Sequence, residues 1–345
     1  MLSPPKKQEN DTAAMGVAID ILNSGVNIPP MSSRGIKLFK MIQRPVHEIN
    51  THDFCKLIEP DPGLYSKVLQ LANSPHYKGV NEVITLRSAI TRIGMDEAIA
   101  SVNVYFLKRF LPKISDLQGF SANDYWAFSW ACAVAARHLG HPTITQASLP
   151  GELYLAGLLQ GIGKLVLALH YGAEFAGCIE RAVQFEMPLQ SVLMNEFGTT
   201  DTLLAAKLMG TWNIPEKICS AVQFCHNPEL APKQYQEIAG LTQLASRIAS
   251  ASQIGNSGDG PVQEIDTAWI IKSDASPISK AELRERIVEE ILLMIHQKSD
   301  TITGVSVTET DEKKKPEHTK PNPQSIKKTK DGSKGFWKKI LSLFR

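Results

Sequence analysis

The sequence predicts an all-α protein, on three observations. Ala, Leu, Glu, Lys and Gln are abundant, while aromatic residues make up only 7% of the chain. Runs that alternate Val or Thr with polar residues, the mark of half-buried strands, are few. Apolar residues recur at three- and four-residue spacing between Pro- and Gly-containing breaks, as on the buried face of a helix. With 345 residues, 43% of them hydrophobic, the chain has enough apolar matter for one large domain or two small ones.

Each element follows from local pattern. Residues 1–25 read as a polar segment with a short helix over 13–23, stopped by Ser24-Gly25. "NIPPMSS" is extended or turned, because two prolines block a helix. A helix is expected over 34–44, with Ile36, Leu38, Phe39, Met41 and Ile42 on its apolar face. Thr51 is the expected N-cap of a helix over 53–58. "EPDP" turns the chain into a helix bearing Leu64, Val68, Leu71 and Ala72, which stops at Asn73-Ser74-Pro75. Helices follow over 86–93, from 96 to about 110, and over 125–139, the last broken by "GHP". Residues 152–171 form the most apolar helix, and 189–194, 202–212, 216–225 and 236–253 the next four. "GNSGDG" after that reads as a flexible linker. Residues 279–297 are amphipathic, with a capping box at Ser279 and Glu282. Residues 298–334 are rich in Lys, Thr, Pro and Ser and are expected to be disordered. No internal repeat is evident.

The net charge of +2 is unevenly placed. Residues 301–345 hold eleven Lys and Arg against five Asp and Glu, a surplus of six; the other 300 hold 26 basic and 30 acidic residues, or −4. A mildly acidic body is a poor nucleic-acid surface, and no nucleic acid is expected as a partner. The five cysteines are odd in number and lie in apolar surroundings, which suits reduced thiols in a cytoplasmic protein. "MLSPPKKQEN" lacks the apolar core of a signal peptide. No stretch is expected to cross a membrane, because the most apolar run contains Lys164.

Catalytic motifs were tested against "GLLQGIGKL". A phosphate loop needs four residues between its glycines and a hydroxyl after Gly-Lys. Five residues separate Gly157 from Gly163, and Leu165 stands where the hydroxyl would be. A core helix whose small residues admit a close neighbour accounts for the stretch better. No HxxxH or HExxH pair occurs, and Cys219, Cys225 and His226 lack the spacing of a zinc hook. His226-Asn227-Pro228 reads as a helix end. There is no GxSxG elbow. Glu289-Glu290 is the kind of paired carboxylate that belongs to a solvated face. Lys164 is expected to lay its stem along the helix and reach solvent with its ammonium.

The final segment "KGFWKKILSLFR" has a sharper pattern. At helical spacing Phe336, Ile340, Leu343 and Phe344 gather on one side, beside Trp337, while Lys338, Lys339 and Arg345 fall largely on the other. So short a helix is unstable alone and would fold on an anionic membrane surface, in a partner groove, or on the protein's own body.

Together, "NIPPMSSRGIKLFKMI", "DPGLYSKVLQLANS", "LLQGIGKL" and "GTWNIPEKI" up to His226 resemble the HDOD domain of bacteria, over residues 26–252. That domain is an all-helical relative of HD-type metal-dependent phosphohydrolases, and the resemblance implies a helical bundle of two lobes. In catalytic relatives a His-Asp pair before "IGK" holds metals that activate water. Here the matching residues are Gln160 and Gly161. The upstream His corresponds to Phe128 in "YWAFSWACAVAA", and the downstream Asp to Ser246 in "LTQLASRIAS". These four are not a ligand set for a divalent cation. No metal and no cofactor are expected, and no catalytic residue.

The resemblance implies a non-enzymatic signal-transduction or regulatory module acting through protein–protein contacts. The partners implied are cyclic-di-nucleotide signalling enzymes, receiver domains or kinases. Asn73, Ser74, Gln160, Lys164 and His226 are the candidate contacts with a ligand or partner, with a groove between the lobes as the surface. Two rival readings are a divergent HD-type phosphodiesterase or nucleotide-binding protein, and a membrane-peripheral scaffold working through 335–345. The expected organisation is a polar segment (1–25), the HDOD domain (26–252), a linker and helical extension (253–297), a disordered basic linker (298–334) and an amphipathic terminus (335–345). The expected location is cytoplasmic or membrane-peripheral.

Overall fold

The first four helices described in this protein begin where a side chain supplies an oxygen for the first free amides. The computed structural model describes residues 31–77, 79–111, 113–142, 144–145, 149–259 and 280–303. The expected helix over 13–23, the Ser279–Glu282 capping box, the linker beyond 303 and the amphipathic terminus lie outside the described residues or side chains. Helix α1 (Ser33–Ile42) is capped by Ser32, whose hydroxyl accepts from Gly35 N at 3.2 Å. Helix α2 (Thr51–Ile58) takes its cap from Asn50, not Thr51: the Asn50 carbonyl oxygen accepts from His52 N at 2.8 Å. Helix α3 (Pro62–Ala72) has Pro at its first position, where no N–H is needed, and Asp61 accepting from Gly63 N and Leu64 N at 3.0 and 3.2 Å. Helix α4 (Leu86–Ile93) is capped by Thr85 and ends at Gly94, from which α5 (Met95–Phe110) departs.

The second half relies less on such caps. Helices α6 (Ala122–Leu139), α7 (Pro150–Leu159), α8 (Ile162–His170), α9 (Gly172–Gln184) and α10 (Leu189–Phe197) run in sequence. Then come α11 (Asp201–Thr211), α12 (Glu216–Gln223), α13 (Gln236–Ser252) and α14 (Lys280–Thr303). Of α6 to α13 only α11 has a side-chain cap, the Thr200 hydroxyl accepting from Leu203 N at 3.2 Å. Among the described residues there is no strand; Leu117 and Phe120 form an isolated bridge. The protein is all-α, as expected. The helix expected over 152–171 is two helices parted at Gln160-Gly161. Helix α9 was not anticipated, because its buried residues Phe175, Cys178, Ile179 and Ala182 are outnumbered by polar and small ones.

Helices α1 to α5 form one lobe, with α3 against α4 and α5, and α1 against α5. Helices α6 to α13 form the other: α6 packs on α7 and α13, α12 on α7, α11 and α13, and α8 on α11 and α9. Contacts of α1 with α7 and α5 with α6 join them, and α14 lies on α6 and α13. One apolar cluster runs through both lobes, from Leu38 and Phe54 to Leu153, Leu204 and Ile248. Each such fully buried side chain stabilises the fold by about 1.5–3 kcal/mol before entropy is counted.

Two glycines set the spacing around the α7–α8 break. A Cβ on Gly157 would stand 2.7 Å from Cys132 O of α6, and one on Gly163 only 1.9 Å from Asp201 O of α11. Pro150–His170 is long and apolar enough to cross a membrane by length and composition, contrary to the expectation. In the fold 89% of its most apolar window is buried, so this span is the centre of the second lobe.

The expected linker "GNSGDG" folds onto the body as far as Asp259. Gly255 has φ +70°, and a Cβ there would meet Asp124 O at 2.2 Å. Asn256 N donates to Asp124 O at 3.1 Å, and Ser257 is buried. Glycine lets the chain turn tightly against the start of α6, which composition alone does not reveal.

Candidate functional site

The α7–α8 break places Gln160 and Lys164 in the interior of the second lobe. Gln160 is 5% exposed and Lys164 2%. The Gln160 amide nitrogen donates to Cys132 Sγ on α6 at 3.2 Å and to Ser246 Oγ on α13 at 3.3 Å. The Cys225 thiol approaches its carbonyl oxygen at 4.0 Å. Burial pushes the Cys132 and Cys225 thiols up, so both stay protonated. Gly161 leaves room for the Tyr125 ring, which a Cβ would meet at 3.0 Å.

Lys164 does not reach solvent. Its Nζ lies 2.5 Å from Asp259 Oδ1 and 3.6 Å from Asp201 Oδ2. Burial alone would pull the lysine pKa down, but the two carboxylates outweigh it and hold the ammonium charged above its ordinary value. Burial likewise opposes the charged form of Asp259, and Lys164 and then His226 overcome it, keeping its carboxyl below the usual range. Asp201 opens α11 after the Thr200 cap and is 1% exposed. The Asp259 side chain, 29% exposed, forms the outer edge of the cluster.

Gln190 and Gln243 tie this cluster to His226. Gln190 Nε2 on α10 donates to Asp201 Oδ1 at 2.5 Å and lies 3.1 Å from His226 Nε2. Gln243 Nε2 donates to the His226 backbone oxygen at 2.9 Å. His226 therefore belongs to the interior network as well as to a helix end.

The candidate residues divide into separate groups. Gln160 and Ser246 touch; Lys164 and His226 belong to the adjoining charged cluster. On α6 the side chain that meets Gln160 is Cys132, one turn beyond Phe128, which is buried and whose backbone abuts Gly255. Asn73 lies in the other lobe, where it splints the 79–85 loop: its amide donates to Val83 O at 2.8 Å and its carbonyl accepts from Val83 N at 2.9 Å. Ser74 is its neighbour at the end of α3. Residues 336, 337, 338, 339, 340, 343 and 344 lie outside the described residues. Asp201, Asp259, Gln190, Cys132 and Cys225 are missing from the sequence-based set. Lys164 was the available signal, since a cation in so apolar a run needs buried carboxylates.

Between the lobes lies a cleft of about 420 Å³, with walls from the end of α1, α5, α6, the start of α7 and α14. Arg137 pairs with Asp96 across it, and Lys298 Nζ of α14 with Glu97 Oε2 at 2.6 Å. Asn73 and Ser74 are not among its walls.

The metal pair of an HD enzyme does not fit these residues. Gln160 is a neutral amide already engaged, Gly161 offers nothing, and Cys132 and Ser246 are held protonated or neutral. The neighbouring carboxylates are committed to an ammonium. Among the described residues no three His, Cys, Asp or Glu side chains converge as a metal site.

An all-helical scaffold of two lobes, with Gln160, Cys132 and Ser246 meeting where its helices face each other, defines the class: an HD-related helical domain protein. The chain belongs to the HDOD domain family, whose profile matches residues 28–228. Its fold is similar to an HDOD domain protein of unknown function from Geobacter sulfurreducens (TM-score 0.67, 19% identity, 84% of this chain and 98% of that one). A provisional phosphohydrolase from Shewanella amazonensis is also similar (0.61, 22%, 83% and 98%). So is a provisional signal transduction protein from Marinobacter aquaeolei (0.63, 22%, 87% and 66%). In sequence, the chain is 23% identical over 244 residues to an uncharacterized protein of Treponema pallidum, covering 70% of this chain and 46% of that one. The chain thus spans about half the length of that relative.

Proposed function

We propose that this protein is a non-enzymatic regulatory module of signal transduction that acts through protein–protein contacts. One observation carries the proposal: beside the residues that match the HD ligands, Lys164 is sealed between Asp201 and Asp259. Its ammonium is a fixed positive charge that balances carboxylates without offering an electrophile or a bound water. The scaffold keeps the helices in register and has lost the donor set for hydrolysis. The interlobe cleft supplies a surface with both signs of charge, suited to a partner protein in the cytoplasm. The description of the Marinobacter aquaeolei relative as a provisional signal transduction protein agrees with this role.

The test is elemental analysis of the purified full chain, together with turnover of a generic phosphodiester in Mn²⁺ and Mg²⁺. Sub-stoichiometric metal and background turnover are expected. One or two tightly held transition metals per chain, with hydrolysis above background, would replace the regulatory reading by the phosphodiesterase one.

A further inference from the structure

We infer that the basic amphipathic segment 336–345 docks on the face of this same chain formed by the end of α9, its turn and α10. This inference does not depend on the regulatory reading. Among the described residues, half of the large hydrophobic side chains that stand exposed fall within the twelve residues 183–194: Val183 at 57%, Phe185 at 60%, Met187 at 38% and Met194 at 43%. Phe185 and Met187 flank Glu186, a non-glycine residue in the left-handed region at φ +50°. The turn is locked by bonds from Phe185 N to Arg181 O at 3.0 Å and Met187 N to Ala182 O at 2.9 Å. A rigid turn that presents two large apolar side chains to water is a surface that wants a cover.

Charge selects the cover. The end of α9, the turn and α10 carry Glu180, Glu186 and Glu196 against a single base, Arg181, which Glu196 holds at 2.7 Å. The face is therefore net −2. An anionic lipid surface is repelled by it, and a second copy of the same face would bring −2 against −2. Residues 334–345 hold Lys334, Lys338, Lys339 and Arg345 and no acid, a net +4, with Phe336, Ile340, Leu343 and Phe344 at helical spacing. Sign and apolar pattern both match.

Reach is sufficient. Helix α14 ends at Thr303, which leaves residues 304–335 before Phe336. At up to about 3.3 Å per residue these span about 100 Å, against a diameter of about 50 Å for a chain of this size. Tethering raises the effective concentration of the segment to roughly the millimolar range, so a weak contact suffices. The segment then shields the α9–α10 face until a stronger competitor takes either surface.

Hydrogen–deuterium exchange of the full chain tests this, read on the amides of 183–194. The Ile340→Asp/Phe344→Asp chain should exchange several-fold faster there, and so should Lys338→Glu/Lys339→Glu. Combining the latter with Glu180→Lys/Glu186→Lys should restore protection, which a general loss of folding would not do. A carbodiimide should link Lys338 or Lys339 to Glu180 or Glu186 within one chain. Unchanged exchange in the tail variants, no rescue by charge reversal, or links found only between isotopically distinct copies would each overturn the inference. Protection that appears only with phosphatidylglycerol vesicles would assign the segment to a lipid surface and overturn it too.

Discussion

Lys164 Nζ and Asp259 Oδ1, ninety-five residues apart in the chain, lie 2.5 Å from one another in the second lobe. The pair fastens the 254–259 segment to α8, and Asp201 on α11 shares the same ammonium.

Removing that cation leaves two carboxylates facing each other, Asp201 fully buried and Asp259 at the outer edge of the cluster. Lys164→Met should therefore cost about 3 kcal/mol, read as a lowered denaturation midpoint in urea. Adding Asp201→Asn and Asp259→Asn to Lys164→Met should regain much of the loss. If Lys164→Met is as stable as the parent, the pair contributes nothing and the fastening is illusory.

The Asp259 carboxyl sits below its ordinary value because of Lys164, so its stabilisation has a defined pH window. It is fully present above the unfolded carboxylate pKa of about 4 and disappears as pH falls through the folded value. The parent should exceed Asp259→Asn in stability at pH 7, and the gap should close towards pH 2–3. Urea titrations at both pH values measure it; a gap that does not shrink in acid contradicts the assignment.

Glycines at close helix approaches and glycines at open positions should respond to alanine with opposite signs. Gly163→Ala puts a Cβ 1.9 Å from the Asp201 backbone oxygen and should cost about 3 kcal/mol or more. Gly210, inside α11, has nothing within 4 Å of its would-be Cβ, and Gly210→Ala should gain about 0.5–1 kcal/mol. Thermal melts of the two variants decide this, and the same sign for both would refute the packing account.

Restoring the His-Asp pair should not restore a metal. In Gln160→His/Gly161→Asp the new Asp must displace Tyr125, and Cys132, Ser246 and Lys164 still surround the site. Calorimetric titration with Mn²⁺ should show no tight binding, and the midpoint should fall by roughly 1–3 kcal/mol from overpacking. Micromolar Mn²⁺ affinity in that variant would mean the remaining donors are better placed than the geometry indicates.

How much was legible in advance depends on the range of the interaction. Gln160 and Ser246 were singled out from the resemblance, and the structure brings them within 3.3 Å of each other. The helix caps were less legible: Thr51 was the expected cap, the structure uses Asn50, and the caps Asp61 and Thr85 were not singled out. Helix α9 escaped notice because its buried residues Phe175, Cys178, Ile179 and Ala182 are outnumbered by polar and small ones. Cys132 rather than Phe128 meets Gln160 because the rotation of α6 about its axis is set by packing on α7 and α13.

By itself the sequence determined the helical class and the order of most helices, since these rest on local periodicity. Only the tertiary structure decided that Lys164 is buried, that Asp201 and Asp259 neutralise it, and that a glycine-rich string is part of the body. The physical reason is that a buried charge must find its counter-charge in space, and the chain brings those groups together from helices and turns whose docking no local pattern encodes.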